Sequence, residues 1–167
     1  GAGAGGTEGL EREAVEVLDA LVARHMGGYF NRGSDLDLLR PRLHAIVRVL
    51  KFWDPELAHK LEDHDIAPEL YAVPWLVTLF ADVFSLERTL YLWDLLLPLG
   101  PAFAAALAAA LLAQPQARAR LLQLQTPEQA LLFFSALNHG RRRVDLRWCV
   151  LKATALYSQM PPSVLFP

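Results

Sequence analysis

Apolar side chains recur along this chain at the three- and four-residue spacing of helices, and no stretch alternates convincingly with the period of two that a half-buried strand requires. In the first helix Thr7 is the cap, and Leu10, Ala14, Val17, Leu18, Leu21 and Val22 form one stripe that Gly27-Gly28 ends. Ser34 followed by Asp37 resembles a capping box with Asp in place of Glu. It opens a second helix with Leu36, Leu39, Leu43, Ile46, Val47 and Leu50 inward and Arg40, Arg42, Arg48 and Lys51 on the other face. That basic face reads first as solvated surface and second as contact for an acidic partner.

From Asp54 to Asp94 the chain is dense in apolar and aromatic residues and cut by prolines. Asp54 with Pro55 at the first helical position starts one helix, and Glu56 suits the positive end of its dipole. Pro68 opens another. Pro74 falls inside the next apolar run, where it removes a hydrogen bond and biases Val73 toward extended backbone, so a kink or break is expected there. Trp75, Leu76, Leu79 and Phe80 should face the core; Ser85 caps one more helix carrying Leu86, Leu90, Trp93 and Leu97, with Pro98 as its stop.

Further on, Pro101 opens an Ala-rich helix that Gln114-Pro115 breaks. Thr126-Pro127-Glu128-Gln129 combines a cap, a first-turn proline and a capping-box Gln ahead of Leu131, Leu132, Phe133 and Leu137. Asn138-His139-Gly140 stops that helix, Arg141, Arg142 and Arg143 form a short basic loop, and Asp145 caps a last helix through Leu146, Val150, Ala153 and Leu156. The sum is an all-α compact bundle of about eight helices without a sheet or internal repeat. Residues 1–9 read as a flexible Gly/Ala leader and residues 10–167 as a single helical unit.

Composition sharpens this picture. A chain of 167 residues with 53% hydrophobic content can bury one sizeable core. A formal net charge of −2 provides no basic field for nucleic acid. The single cysteine, Cys149, lies among Trp148, Val150 and Leu151, which favours burial as a small apolar residue over a reactive thiol; without an internal disulfide it suits a reducing compartment. The N-terminus has neither the basic region nor the apolar core of a signal peptide. The most membrane-like segment, 102–113, is well short of the roughly 20 residues a bilayer span needs.

Chemistry-bearing constellations are sparse. His59 and Asp63 share a helix face with His64 behind them, but no further Cys/His cluster completes a metal site, and a solvated helix end is the stronger reading. The Gly-rich leader lacks the Lys-Ser/Thr of a phosphate loop, and scattered histidines do not assemble a catalytic pair with Cys149. No catalytic, cofactor-binding or metal-ligating residue is assigned.

The central block closely resembles the third conserved block of the TBC domain, the helical domain of activating proteins for Rab-type small GTPases. The matching residues are Asp54-Pro55-Glu56-Leu57, Leu61, Ile66, Pro68, Leu70-Tyr71-Ala72, Trp75-Leu76, Thr78-Leu79-Phe80, Phe84, Leu86 and Leu92-Trp93-Asp94. The two predicted helices before it look like those that precede this block in the family. The tail RVDLRWCVLKATALYSQMPPS looks like the end of the TBC domain in kinase-like TBC proteins.

The resemblance implies the C-terminal lobe of such a domain: a GTPase activator rather than an enzyme with a substrate of its own, with a Rab-family GTPase as partner. GTP and Mg²⁺ would be bound by that partner, and location would be cytoplasmic, peripheral to endomembranes through the GTPase and without direct membrane insertion. The family supplies an arginine and a glutamine to the γ-phosphate from an I-x-x-D-x-x-R and a Y-x-Q segment, both N-terminal to the helix that begins near Glu11, so both are expected upstream of this chain. Asp37-Leu38-Leu39-Arg40 fits D-x-x-R with Ser34 where Ile belongs, and Tyr157-Ser158-Gln159 fits Y-x-Q at the wrong end of the chain. Both read as chance matches. Residues nominated for GTPase contact or site support are Pro74, Trp75, Thr78, Arg88 and Asp94. Trp75, Phe80 and Trp93 read foremost as core, and Asp94 as a partner of Arg88 or the cap of a neighbouring helix. A half-domain also bares apolar surface, so self-association is expected. The alternative function is a TBC-like scaffold or interaction module without GAP activity.

Overall fold

In the computed structural model, residues 4–25, 35–138 and 143–165 are described. The predicted stops at Gly27-Gly28 and His139-Gly140, the Ser34 cap and most of the basic loop lie outside them. Among the described residues there are nine helices and no strand: α1 Ala4–His25, α2 Asp35–Trp53, α3 Pro55–Asp63, α4 Glu69–Val77, α5 Leu86–Ala113, α6 Pro115–Leu121, α7 Pro127–Asn138, α8 Leu146–Gln159 and α9 Pro162–Leu165. The short α6 and α9 have no counterpart in the sequence reading. Helical geometry in α1 begins at Ala4, inside the stretch read as a leader.

The core is organised around α5. Its run of helix is interrupted at Gly100, whose φ of 75° and ψ of −168° belong to a region essentially reserved for glycine. The break divides α5 into arms 86–99 and 101–113. A straight helix would separate Arg88 from Gln114 by about 39 Å. Instead both line one cleft, so the second arm turns back beside the first. The predicted stop at Pro98 is thus displaced by two residues: helix accommodates Pro98, and the achiral Gly100 makes the turn before Pro101 starts the next arm.

Every residue from 102 to 113 is buried, and α1, α2, α4, α6 and α8 all touch α5. A helix covered on all sides must be apolar all round, and its alanines let the surrounding helices approach closely. By length and composition α5 resembles a membrane span, yet most of its apolar window is covered by the other helices and Gly100 bends it. Leu43, Ile46 and Leu50 of α2, Leu57 of α3, Tyr71 and Trp75 of α4, Phe134 of α7 and Cys149 and Leu156 of α8 complete the core. Burial, and then the nearby Asp145 carboxylate, push the Cys149 thiol up to about 12, so it stays protonated at neutral pH.

Several caps follow the sequence closely. Asp54 accepts from Leu57 N at 3.1 Å with Pro55 at the first helical position, and Asp145 accepts from Trp148 N at 3.0 Å. At α7, Thr126 Oγ1 accepts from Gln129 N at 3.4 Å. The return bond of the box runs one residue further back than expected, from Gln125 N to Gln129 Oε1 at 2.9 Å. The predicted break at Pro74 does not occur. Helix α4 passes through it, because the proline removes only the bond to Leu70 and two turns anchored by buried Tyr71 and Trp75 hold the helical path.

The basic face of α2 is partly consumed by the fold. Arg48 Nε donates to Val164 O at 3.0 Å, tying α9 down, and Lys51 pairs with Glu62 of α3 at 2.6 Å. In contrast, the stripe on α1 is largely bare. Leu21 is buried and Val22 partly so, but Leu10, Val17 and Leu18 are more than half exposed.

Asp54 also joins helices distant in sequence. Arg118 of α6 donates from Nε to Oδ2 at 2.5 Å and from Nη2 to Oδ1 at 3.1 Å, and reaches Glu56 as well. Burial opposes ionisation of Asp54, but the Arg118 and Leu57 hydrogen bonds outweigh it and hold the carboxyl below its ordinary value. A carboxyl lowered by folding adds stability that is complete above its unfolded value of 3.8 and disappears as pH falls through the folded value. Arg118→Met should therefore cost about 1–3 kcal/mol at pH 7, with the gap from wild type narrowing below about pH 4 in urea denaturation followed over a pH series. Gly100→Ala should lower the unfolding free energy by about 1–3 kcal/mol by forcing a side chain into glycine-only backbone, measured the same way at pH 7.

Candidate partner-binding face

Three of the five nominated residues meet where α4 ends. Trp75 is fully buried among the rings of Tyr71, Phe80 and Phe134, with centroids 5.5, 6.5 and 6.2 Å away. Its Nε1–H donates to Asn138 Oδ1 at 2.6 Å. So enclosed, Trp75 supports the surface above it and touches no partner. Pro74 and Thr78 are half-buried and joined to each other: the Pro74 carbonyl accepts from both Thr78 N at 2.9 Å and Thr78 Oγ1 at 2.8 Å. Asp82 N donates to the same hydroxyl at 3.4 Å.

Past Thr78 the chain makes a tight exit. Leu79 and Phe80 have φ of 48° and 66°, a left-handed conformation that side chains of this size seldom adopt. Phe80 N bonds Trp75 O, five residues back, at 2.8 Å, a closure of the Schellman kind usually made with glycine. Burial of both side chains holds the strained backbone in place. From α5, Trp93 Nε1 donates to Leu79 O at 3.0 Å. These bonds fix the start of segment 78–85, the buried Val83 and Phe84 anchor its far end, and Ala81 and Asp82 face solvent.

Arg88 and Asp94 do not meet. Six residues apart on a helix, they point about 120° away from one another. Arg88 leans toward the Val144 carbonyl at 3.5 Å, on the wall of a cleft of about 920 Å³ between the first arm of α5, the start of α6 and the start of α8. Asp94 is exposed, and its carboxylate forms no salt bridge among the described residues. The nominated set is two places and a separate acid, not one site.

The finger-like matches and the histidines lie elsewhere. Arg40 is exposed on α2, and Gln159 is exposed at the end of α8. His59 Nε2 is 3.2 Å from Asp63 Oδ2, and His64 Nε2 is 2.8 Å from Lys60 Nζ; no three-residue ligand group occurs among the described residues.

Sequence reasoning read Asn138 as part of a helix stop, and α7 does end there, but its role as the acceptor for Trp75 was not foreseen. It passed over Arg147 and Tyr91, which line the cleft with Arg88. A buried indole implies some acceptor, but which one cannot be inferred across 63 residues.

The match to the Rab-GTPase-TBC domain family covers residues 8–118, two-thirds of the chain. The chain belongs to this family. Over 156 residues, 93% of its length, it is 30% identical to the TBC domain-containing protein kinase-like proteins of Mus musculus and Homo sapiens. With TBC1 domain family member 1 of Homo sapiens it shares 33% identity over 86 residues, 52% of the chain and 7% of that relative. It spans about 17% of the length of the kinase-like relatives, whose similarity continues past the family match into the tail.

Trp93→Phe keeps the ring and removes the bond to Leu79 O. The expected result is faster amide exchange across residues 79–84, by mass spectrometry, with a global loss of only about 0.5–1.5 kcal/mol.

Proposed function

We propose that this chain is part of a GTPase-activating protein for Rab-type GTPases and supplies partner-binding surface and structural support, while the arginine and glutamine that act on the γ-phosphate lie outside it. The observation that carries this reading is the ordered match from Asp54 to Asp94 within a family-wide match, together with the absence from this chain of either finger motif in its family position. The geometry is consistent with a supporting role, since Trp75, Thr78 and Trp93 stiffen an exposed segment and none of them presents catalytic chemistry.

GTP and Mg²⁺ then belong to the partner, and this chain needs no cofactor of its own. Its place is the cytoplasm, at endomembranes only through the GTPase, in vesicle trafficking and intracellular protein transport. The bare apolar face of α1 favours self-association when nothing else covers it. The alternative, a scaffold without GAP activity, follows if the parent protein has lost its fingers.

The test is single-turnover GTP hydrolysis by a panel of purified Rab proteins, with binding of the GTP-loaded forms measured in parallel. The chain alone should bind at least one Rab without accelerating hydrolysis. An acceleration of about 10³- to 10⁵-fold would place the fingers inside it and direct attention to Arg40 and Gln159. Binding to no Rab would remove the partner assignment. The parent protein in the same assay separates activator from scaffold.

A further inference from the structure

The cleft of about 920 Å³ between α5, α6 and α8 carries a charge opposite to that of the chain as a whole. Arg88, Arg143 and Arg147 stand exposed around it. The one carboxylate among its lining residues, Asp145, is engaged by Trp148 N as the cap of α8. None of the three arginines forms an ion pair with a carboxylate among the described residues; Arg88 has only the long contact to Val144 O. In a chain of net charge −2, three guanidiniums stand against a single carboxylate around one hollow.

Gln114 and Gln116 add polar surface to the wall, and the remainder is largely apolar. Tyr91 is 57% and Leu151 63% exposed, and the half-buried Trp148 carries Lys152 Nζ 5.8 Å from its ring centre. Guanidinium forks match carboxylates in geometry as well as charge, while exposed Tyr and Leu surface favours an apolar side chain. From this complementarity we propose that the cleft binds an acidic peptide segment of a partner protein, its carboxylates on Arg88, Arg143 and Arg147 and an apolar side chain between them against Tyr91 and Leu151. A lone inorganic anion would leave most of a hollow this large unfilled. A flat anionic bilayer does not complement its concave wall. The proposal rests on the cleft alone and stands or falls independently of the Rab assignment.

The probe is a fluorescein-labelled peptide in which glutamates flank a pair of leucines, followed by fluorescence anisotropy with the chain. Controls are the same peptide with Gln for Glu and the same peptide with Ser for Leu. The acidic peptide should bind at least about tenfold more tightly than either control. Its affinity should fall as salt rises, because charge contacts of this kind are screened.

The triple substitution Arg88→Glu, Arg143→Glu, Arg147→Glu should lose binding, and the milder Arg147→Gln should weaken it; Arg12→Glu, on the exposed surface of α1, which does not line the cleft, should leave it unchanged. Circular dichroism confirms that each variant is folded, and the Gln variant alone decides the matter if the triple variant is not. Equal binding of the acidic and Gln peptides, or undiminished binding by a folded cleft variant, would overturn the proposal. So would recruitment to phosphatidylserine-rich vesicles with no peptide bound.

Discussion

The second arm of α5 has no face toward solvent, and the rest of the fold answers to that condition. A helix enclosed on all sides tolerates no charge and gains from small residues, because each alanine brings a neighbouring backbone nearer and adds to the dispersion contacts of a dense core. Enclosure also requires neighbours on every side, and α1, α2, α4, α6 and α8 reach α5 from different directions. Gly100 is the corollary. Only a residue free of Cβ turns the first arm so sharply into the second that the start of one and the end of the other share a cleft.

Polar side chains work at the joints of this packing. Arg118 joins α6 to the cap of α3 through Asp54, Arg48 holds α9, Trp75 joins α4 to the last residue of α7, and Trp93 joins α5 to the exit of α4. Each closes a long-range gap and satisfies a group that burial would otherwise leave unpaired. Two of them bracket the strained turn at Leu79 and Phe80. The exposed Ala81-Asp82 tip therefore sits on a rigid base.

Two features face outward without a partner among the described residues. The α1 stripe is an amphipathic face that only its last turns bury, and the cleft beside α8 gathers three guanidiniums around a single carboxylate. They differ in chemistry, the first purely apolar and the second basic with an apolar wall, so one ligand class would not serve both. The family match ends at residue 118, whereas the α8 side of the cleft lies beyond it, in the tail whose similarity is to the kinase-like TBC proteins. The α5 and α6 walls of the cleft thus lie inside the family match and the α8 wall outside it.

Much of the fold was legible because it is written locally. The caps at Asp54 and Asp145, the prolines that open α3 and α7, the all-α class and the buried aromatics follow from side chains acting within one turn of their own position. The family, too, was readable from an ordered run of residues between Asp54 and Asp94. Other readings failed where a local rule met a tertiary one. Pro74 reads as a break, but packing of Tyr71 and Trp75 carries the helix through it; Pro98 reads as a stop, but the turn waits for Gly100. Arg88 and Asp94 look like a pair in sequence, yet helical geometry turns them apart and the cleft claims the arginine. Sequence by itself determined the all-α class, the caps at Asp54 and Asp145 and the family, since those depend on spacing and on single side chains. Only the tertiary structure decided that Asn138 meets Trp75, that Arg118 meets Asp54, and that three arginines from two helices and a linker surround one hollow. Such meetings depend on how the chain folds back on itself, which no periodicity records.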